Sequence, residues 1–390
     1  MLDSIYIGMT GLLGYSKGLR VIANNTSNIN TPGYKGSSLQ FADLFYSNSN
    51  LAGGTGGQSY GQLGYGLDTK GTALSFKQGE LRSTSNDLDA AVDGTGLFVL
   101  KNGDGEISYT RAGQFEFNSA GILVTKSDGS KVMALDSNKN LIEISQADLK
   151  TIAGRATAKI KFAGNLSSTT SPQTISGVKV IDAAGTEHTL SLTMTNAAGT
   201  WTVTVLDGAK EVGTGSIVFA GTSPAPGSST VAFNYTPVGV STIALTLDFS
   251  TDVTAFAGAT TLAMASQDGL VPGALLTTTF NADGSLNLSY SNGQTLKGAK
   301  LALARFDSVN AVETVGNNQF RALDPTQWHL GVAGTDTFGS VKAKEVEISN
   351  VDLAQEFSDL VVMQRGYQSS SQVITTANEM LQQLFSMKSK

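Results

Sequence analysis

Residues 351–386 read VDLAQEFSDLVVMQRGYQSSSQVITTANEMLQQLFS, without proline and with one glycine, Gly366. Leu353, Leu360, Tyr367, Ile374 and Leu381 form a seven-residue series that is apolar at every step. The companion series Phe357, Gln364, Ser371, Asn378 and Phe385 is apolar only at its ends, and Met363, Ala377 and Leu384 widen the stripe. A heptad sustained over this length predicts one long helix with a coiled-coil seam. Its polar centre favours a defined register over maximal stability. Ser349-Asn350-Val351-Asp352 supplies the expected start, with Ser349 as the capping hydroxyl and a carboxylate three residues on.

The other end of the chain repeats the pattern. Over residues 3–29, Ile5, Leu12 and Leu19 form one series and Met9, Ser16 and Ala23 the other, flanked by Tyr15, Ile22 and Ile29. The helix is expected to stop at Asn30-Thr31-Pro32-Gly33, because Pro32 disfavours helix at Thr31 and Gly33 permits a turn. Between the ends, the sequence offers no other apolar helix for these two to pack against. Isolated helices are marginal in water, so both are expected to be mobile in the monomer and to gain stability from other copies. The expected assembly contacts are Ile5, Met9, Leu12, Leu19, Ile22, Leu353, Phe357, Leu360, Gln364, Tyr367, Ile374 and Leu381.

The middle of the chain has a different character. Residues 31–70 read as a Gly-rich transition, with Gly53-Gly54-Thr55-Gly56-Gly57 as a conformable linker; no Lys-Ser/Thr comes after it to make a phosphate loop. Residues 71–145 read as antiparallel β, including the apolar run Leu97-Phe98-Val99-Leu100 and a turn at Asn102-Gly103-Asp104-Gly105. Within 165–285 only ten residues are charged, eight of them acidic, while Thr, Ser, Ala and Gly dominate. Strands such as Thr189–Met194 and Trp201–Val205 then suggest a small sandwich or barrel. The fold class expected is mainly β with nested β domains and packed N- and C-terminal helices. The boundaries are 1–30 and 351–390 for the helical coiled-coil domain and 31–70 for the transition. The first β domain takes 71–145 and 286–350, and the inserted outer β domain 146–285.

Composition narrows the function. A net charge of −6 gives no electrostatic case for nucleic acid. The absence of cysteine removes disulfides, thiolate metal sites and cysteine nucleophiles. No run of 18 apolar residues predicts a membrane span, and Met1-Leu2-Asp3-Ser4 lacks the basic start of a secretory signal. The two histidines, His188 and His329, have no G-x-S-x-G elbow to join. Asp136–Asn140 alternates oxygen ligands but has Leu141 where a calcium loop needs glycine, so it reads as a turn. No enzyme, cofactor or metal site is expected.

Asn24-Asn25-Thr26-Ser27-Asn28-Ile29-Asn30-Thr31-Pro32-Gly33-Tyr34-Lys35 resembles the motif that closes the N-terminal helix in bacterial flagellar rod and hook proteins. Ser349-Asn350-Val351-Asp352-Leu353 and Gln364-Arg365-Gly366-Tyr367-Gln368 resemble the matching C-terminal motif, with Ser370 where the family commonly has Asn. Gly94–Val99 and Tyr109–Phe115 resemble the family's first β domain. The matching motif positions are Asn24, Asn25, Asn28, Asn30, Gly33, Tyr34, Lys35, Ser349, Asn350, Asp352, Gln364 and Arg365. The resemblance implies an axial subunit that polymerises with itself in the extracellular flagellum. It also implies rod, hook–filament junction and cap proteins as neighbours, and export through the flagellar type III apparatus. The long insertion favours the hook over the distal rod. A surface-layer or adhesin-like β protein is the alternative from another class and leaves the terminal helices unexplained.

Overall fold

A computed structural model describes residues 2–44, 46–48, 62–335 and 337–388; the Gly53–Gly57 run lies outside them. The chain forms two compact units. One comprises Met1–Ala147, Thr278–Asn287 and Lys297–Lys390; the other comprises Asp148–Thr277 and Leu288–Leu296.

In the first unit, strands Leu97–Lys101, Ile107–Thr110, Gln319–Ala322 and Val312–Gly316 lie side by side, each antiparallel to the next. Leu97–Lys101 also pairs with Lys131–Leu135 and with Thr295–Phe306. It is therefore a central strand, which explains why its sequence is continuously apolar rather than alternating. Leu97, Val99, Tyr109, Met133, Ala302, Ala304 and Phe320 form the core beneath it. The Tyr109 ring meets Phe306 edge-on at 5.1 Å, a favourable arrangement of ring quadrupoles.

Two expectations are corrected here. Much of the 31–70 segment is strand: Ser37–Asp43 pairs antiparallel with Leu67–Leu74 through a bulge at Gln40/Phe41. The flanking Ser and Gly hid this pairing, whose apolar side packs on the N-terminal helix through Phe41 and Tyr15, rings 6.1 Å apart. The C-terminal helix is capped by Asp352, not Ser349. Its Oδ1 accepts the Ala354 N–H at 2.8 Å and the Gln355 N–H at 3.4 Å, the bonds that relieve orphan donors at a helix start. Ser349 Oγ accepts only the Val351 N–H, at 3.3 Å, ahead of the helix.

The second unit is a β-sandwich. One sheet orders Gln173–Ile181, Glu187–Ala197, Thr200–Asp207, Lys210–Ala220 and Ser223–Pro224. The other orders Thr230–Tyr235, Ile243–Asp248, Lys159–Asn165 and Val253–Thr254, with Ala263–Gln267 on Lys159–Asn165. Leu190, Leu192, Met194, Trp201, Val203 and Val205 from the first sheet share one core with Ile160, Phe162, Leu245 and Leu247 from the second. The hairpin joining Ala197 to Thr200 turns on Ala198 and Gly199, both at positive φ, the two-residue turn whose twist matches its strands.

Asp248 ties this sandwich to pH. Burial alone would raise its pKa, but Lys159, Ser250 and the Ser250 N–H bring it down to about 2. The Lys159 Nζ lies 2.7 Å from Asp248 Oδ2. Because the folded pKa is depressed, this stabilisation is full above the ordinary carboxylate range and is lost as pH falls through it toward about 2. Asp248→Asn should therefore lower stability at pH 7 and flatten its decline in acid, measured by urea unfolding of Trp201 fluorescence between pH 2 and 7. Parallel pH profiles for both proteins would contradict this.

Candidate assembly surface

Helix α1 spans Leu2–Ser27 and helix α2 spans Leu353–Lys388. A glycine inside a helix costs about 1 kcal/mol relative to alanine, yet α1 carries buried Gly8, Gly11, Gly14 and Gly18. Their surroundings supply the reason. A Cβ on Gly8 would meet Ile374 and Ser370 of α2, on Gly11 Ser370, and on Gly18 Met363. One on Gly14 would meet Leu67 and Phe41. In return, a Cβ on Gly366 of α2 would strike the Tyr15 ring. The helices thus pack antiparallel at close range along small residues. Carried to the start of α1, this register ends near Met380. The last two turns of α2, roughly 12 Å at 1.5 Å per residue, run on beyond α1.

With glycines facing inward, large apolar side chains face outward. Leu2, Tyr6, Ile7, Met9 and Leu13 of α1 are exposed. So are Leu353, Phe357, Val361, Val362, Tyr367, Val373 and Met380 of α2, and then Leu384, Phe385 and Met387 on the overhang, at 50%, 66% and 80%. Exposed large apolar side chains in this number make the helix pair a candidate interaction surface. The heptad positions divide between the two faces. Ile5, Leu12, Leu19, Leu360, Ile374 and Leu381 are half-buried, while Met9, Leu353, Phe357, Gln364 and Tyr367 are exposed. Ile22 is a correction: only 5% exposed, it is already enclosed by its own chain at the base of α1.

The motif residues gather at that base. Asn25 Nδ2 donates to Ser37 O at 2.8 Å and to Glu356 Oε1 at 2.9 Å, and its Oδ1 accepts from Ser37 N at 3.1 Å and Tyr34 Oη at 3.2 Å. Asn24 Nδ2 donates to Tyr34 Oη at 3.0 Å, and Asn28 Nδ2 donates back to Asn24 O at 2.9 Å. Asn350 Oδ1 accepts the Gly36 N–H at 2.8 Å while its Nδ2 donates to Ser75 O and Lys77 O. Gly33 has φ +71°, and a Cβ there would run into the backbone of Arg111 and Ala112. Asn30, Gln364 and Arg365 are exposed, and Ser349 is buried. Thr26 and Ser27 bond back to Ile22 O and Ala23 O.

Lys35 leads to residues that sequence reasoning missed. Its Nζ donates to Glu347 Oε1 at 2.5 Å and Lys77 O at 2.7 Å. Arg111 Nη1 donates to Glu347 Oε2 at 3.0 Å and Val92 O at 2.8 Å. Gly79 N donates to Glu347 Oε1 at 2.9 Å, and Gly33 N donates to Glu347 O at 2.8 Å. All three charged side chains are buried. Burial pulls the Lys35 pKa down, and the neighbouring Glu347 pulls it back up. Burial also raises Glu356, although the Asn25 hydrogen bond opposes that. The two histidines lie elsewhere, each beside an aspartate: His188 with Asp182 at 2.9 Å and His329 with Asp307 at 2.8 Å. Asp136 closes its own turn by accepting the Asn138 and Asn140 N–H groups, each at 2.8 Å.

Three family models match the chain in this same order. Residues 5–35 match "Flagella basal body rod protein", residues 91–169 "Flagellar hook protein FlgE/F/G D1 domain", and residues 343–387 "Flagellar basal body rod FlgEFG protein C-terminal". The chain thus carries the N-terminal, D1 and C-terminal segments of flagellar rod and hook proteins in their order. Over its full length it is similar to hook proteins. It is 27% identical to flagellar hook protein FlgE of Borreliella burgdorferi over the whole of both chains. It is 28% identical to that of Escherichia coli and 26% to that of Salmonella typhimurium, in each case over 97% of this chain and 98% of the relative. Among solved structures, Helicobacter pylori flagellar hook protein FlgE2 overlaps 68% of this chain and 100% of its own, with TM-score 0.48 and 14% identity. On the sequence matches, the chain is a structural subunit of the hook in the flagellar basal body–hook complex.

Proposed function

We propose that copies polymerise through the outward apolar faces of α1 and α2 into a curved hollow tube. This tube is a universal joint that passes motor torque from rod to filament. The supporting observation is a helix pair whose inner face is spent on glycine contacts within the chain, leaving its large apolar side chains unpartnered. Met9, Leu353, Phe357 and Tyr367 are the heptad positions placed to make contacts between copies, and the half-buried positions support them. Gln364, exposed at the polar centre, limits how copies register. The sandwich faces solvent with Thr and Ser, whose contacts exchange at small energetic cost as neighbours slide. On this reading the tube's ends meet rod, junction and cap proteins, and subunits arrive by the flagellar type III apparatus.

Electron microscopy of the concentrated protein tests the reading. Curved hollow tubes are expected. Flat lattices would favour a surface-layer protein, straight tubes a rod component, and discrete particles would count against polymerisation altogether.

A further inference from the structure

We propose that Glu347 is a positioning residue: through Lys35 and Arg111 it fastens the helix pair to the β module of the same unit as one rigid body, so the module aims the assembly surface. The consequence for assembly rests on the hook reading; the rigidity of the joint does not.

The glycines of residues 31–70 would suggest a joint that tilts. The described residues show a different construction. Three separate stretches of chain converge on Glu347, which ends the strand Glu345–Glu347 leading to α2: Gly33 and Lys35 beyond α1, Gly79, and Arg111. One carboxylate satisfies two buried cations. A small tilt would separate them without offering water to any of the three, and a buried charge without its partner is strongly unfavourable. Such a contact has no soft, partly open state.

A second set of contacts, made by the amide side chains of Asn350 and Asn25, acts in parallel. Asn350 ties Gly36 to Ser75 and Lys77, and Asn25 ties α1 to Ser37 and to Glu356 of α2. Gly79 permits the close fit, since a Cβ there would overlap the Ile348 carbonyl. Bending in the tube then falls to contacts between copies and not to the base of the helices.

The absence of native cysteine allows two spin labels to be placed cleanly. Gln368→Cys on α2 and Ser119→Cys on the β module are exposed positions in one unit. Double electron–electron resonance on the dilute full-length chain should give one narrow distance peak. Lys35→Met should lose that narrow peak while circular dichroism still reports folded helix and sheet. Lys131→Met, which breaks the surface pair with Glu143, should keep it. If Lys35→Met does not fold, Lys35→Gln takes its place, since it removes the charge and keeps a hydrogen-bond donor. A broad distribution in the unsubstituted chain overturns the proposal. So does a peak that stays narrow in a folded Lys35→Met or Lys35→Gln variant. These results are independent of whether tubes form, so a failed polymerisation experiment leaves them readable.

Discussion

A chain ending at Leu381 is expected to fold as a monomer and fail to polymerise. The α1–α2 register, carried to the start of α1, ends near Met380, so cutting after Leu381 removes little of the packing between the two helices. It does remove Leu384, Phe385 and Met387, the most exposed apolar group on α2. Full burial of such a side chain is worth about 1.5–3 kcal/mol. Discounted for their partial exposure, the three together supply roughly 5 kcal/mol per contact. That corresponds to a loss of about three and a half decades in the association constant. Sedimentation velocity against concentration, with circular dichroism to confirm the fold, reads both halves of the expectation. Tubes of normal length from the shortened chain would sink the assembly account.

The second large effect is on stability. Glu347→Ala strands Lys35 and Arg111 in a buried site, and breaking a buried ion pair from one side costs about 3–5 kcal/mol. The two cations respond differently to losing their partner. Lys35, whose pKa burial already lowers, can shed its proton. Arg111 cannot, and it carries most of the damage. Adding Arg111→Met to Glu347→Ala should therefore recover part of the loss, which a double-mutant cycle would register. The chain has one tryptophan in each unit, Trp328 in the first and Trp201 in the second. In a Trp201→Phe background, the urea transition seen by Trp328 should move to lower denaturant on Glu347→Ala. In a Trp328→Phe background, the Trp201 transition should stay. Equal movement of both would show that the substitution acts beyond the joint.

The terminal helices were legible because a heptad sustained over about eight turns and a proline stop are local signals. The surfaces they use were only half legible. Counting apolar positions finds Leu353 and Phe357 but passes over Gly8, Gly11 and Gly18, since glycine reads as a defect in a helix until its neighbour is known. The spacing of three and seven residues between them was the available clue. Asn25, Tyr34, Lys35 and Asn350 stood out through their motif, yet their partners did not. Glu347 alternates with Glu345 around Val346 as any edge strand would, and nothing near it in sequence announces a lysine from the far end of the chain. Asp352 as the true cap was within reach, because Asp caps as well as Ser. In the sandwich, the alternation of Leu190, Leu192 and Met194 gave strands and an inner face. Strand order stayed hidden, because runs of Thr and Val suit many neighbours equally.

The joint at the helix base also has a timetable. Lys35 and Glu347 are separated by 312 positions, so a chain made from its N-terminus carries Lys35 and Arg111 as ordinary hydrated cations for most of its synthesis. Contacts this distant in sequence close late. Glu347 and α2 arrive in the final fraction of the chain, and Gly8, Gly11 and Gly18 of α1 lack their α2 neighbours before then. A nascent or threaded subunit thus lacks the finished sticky face, and competence to join other copies is the last property the molecule acquires.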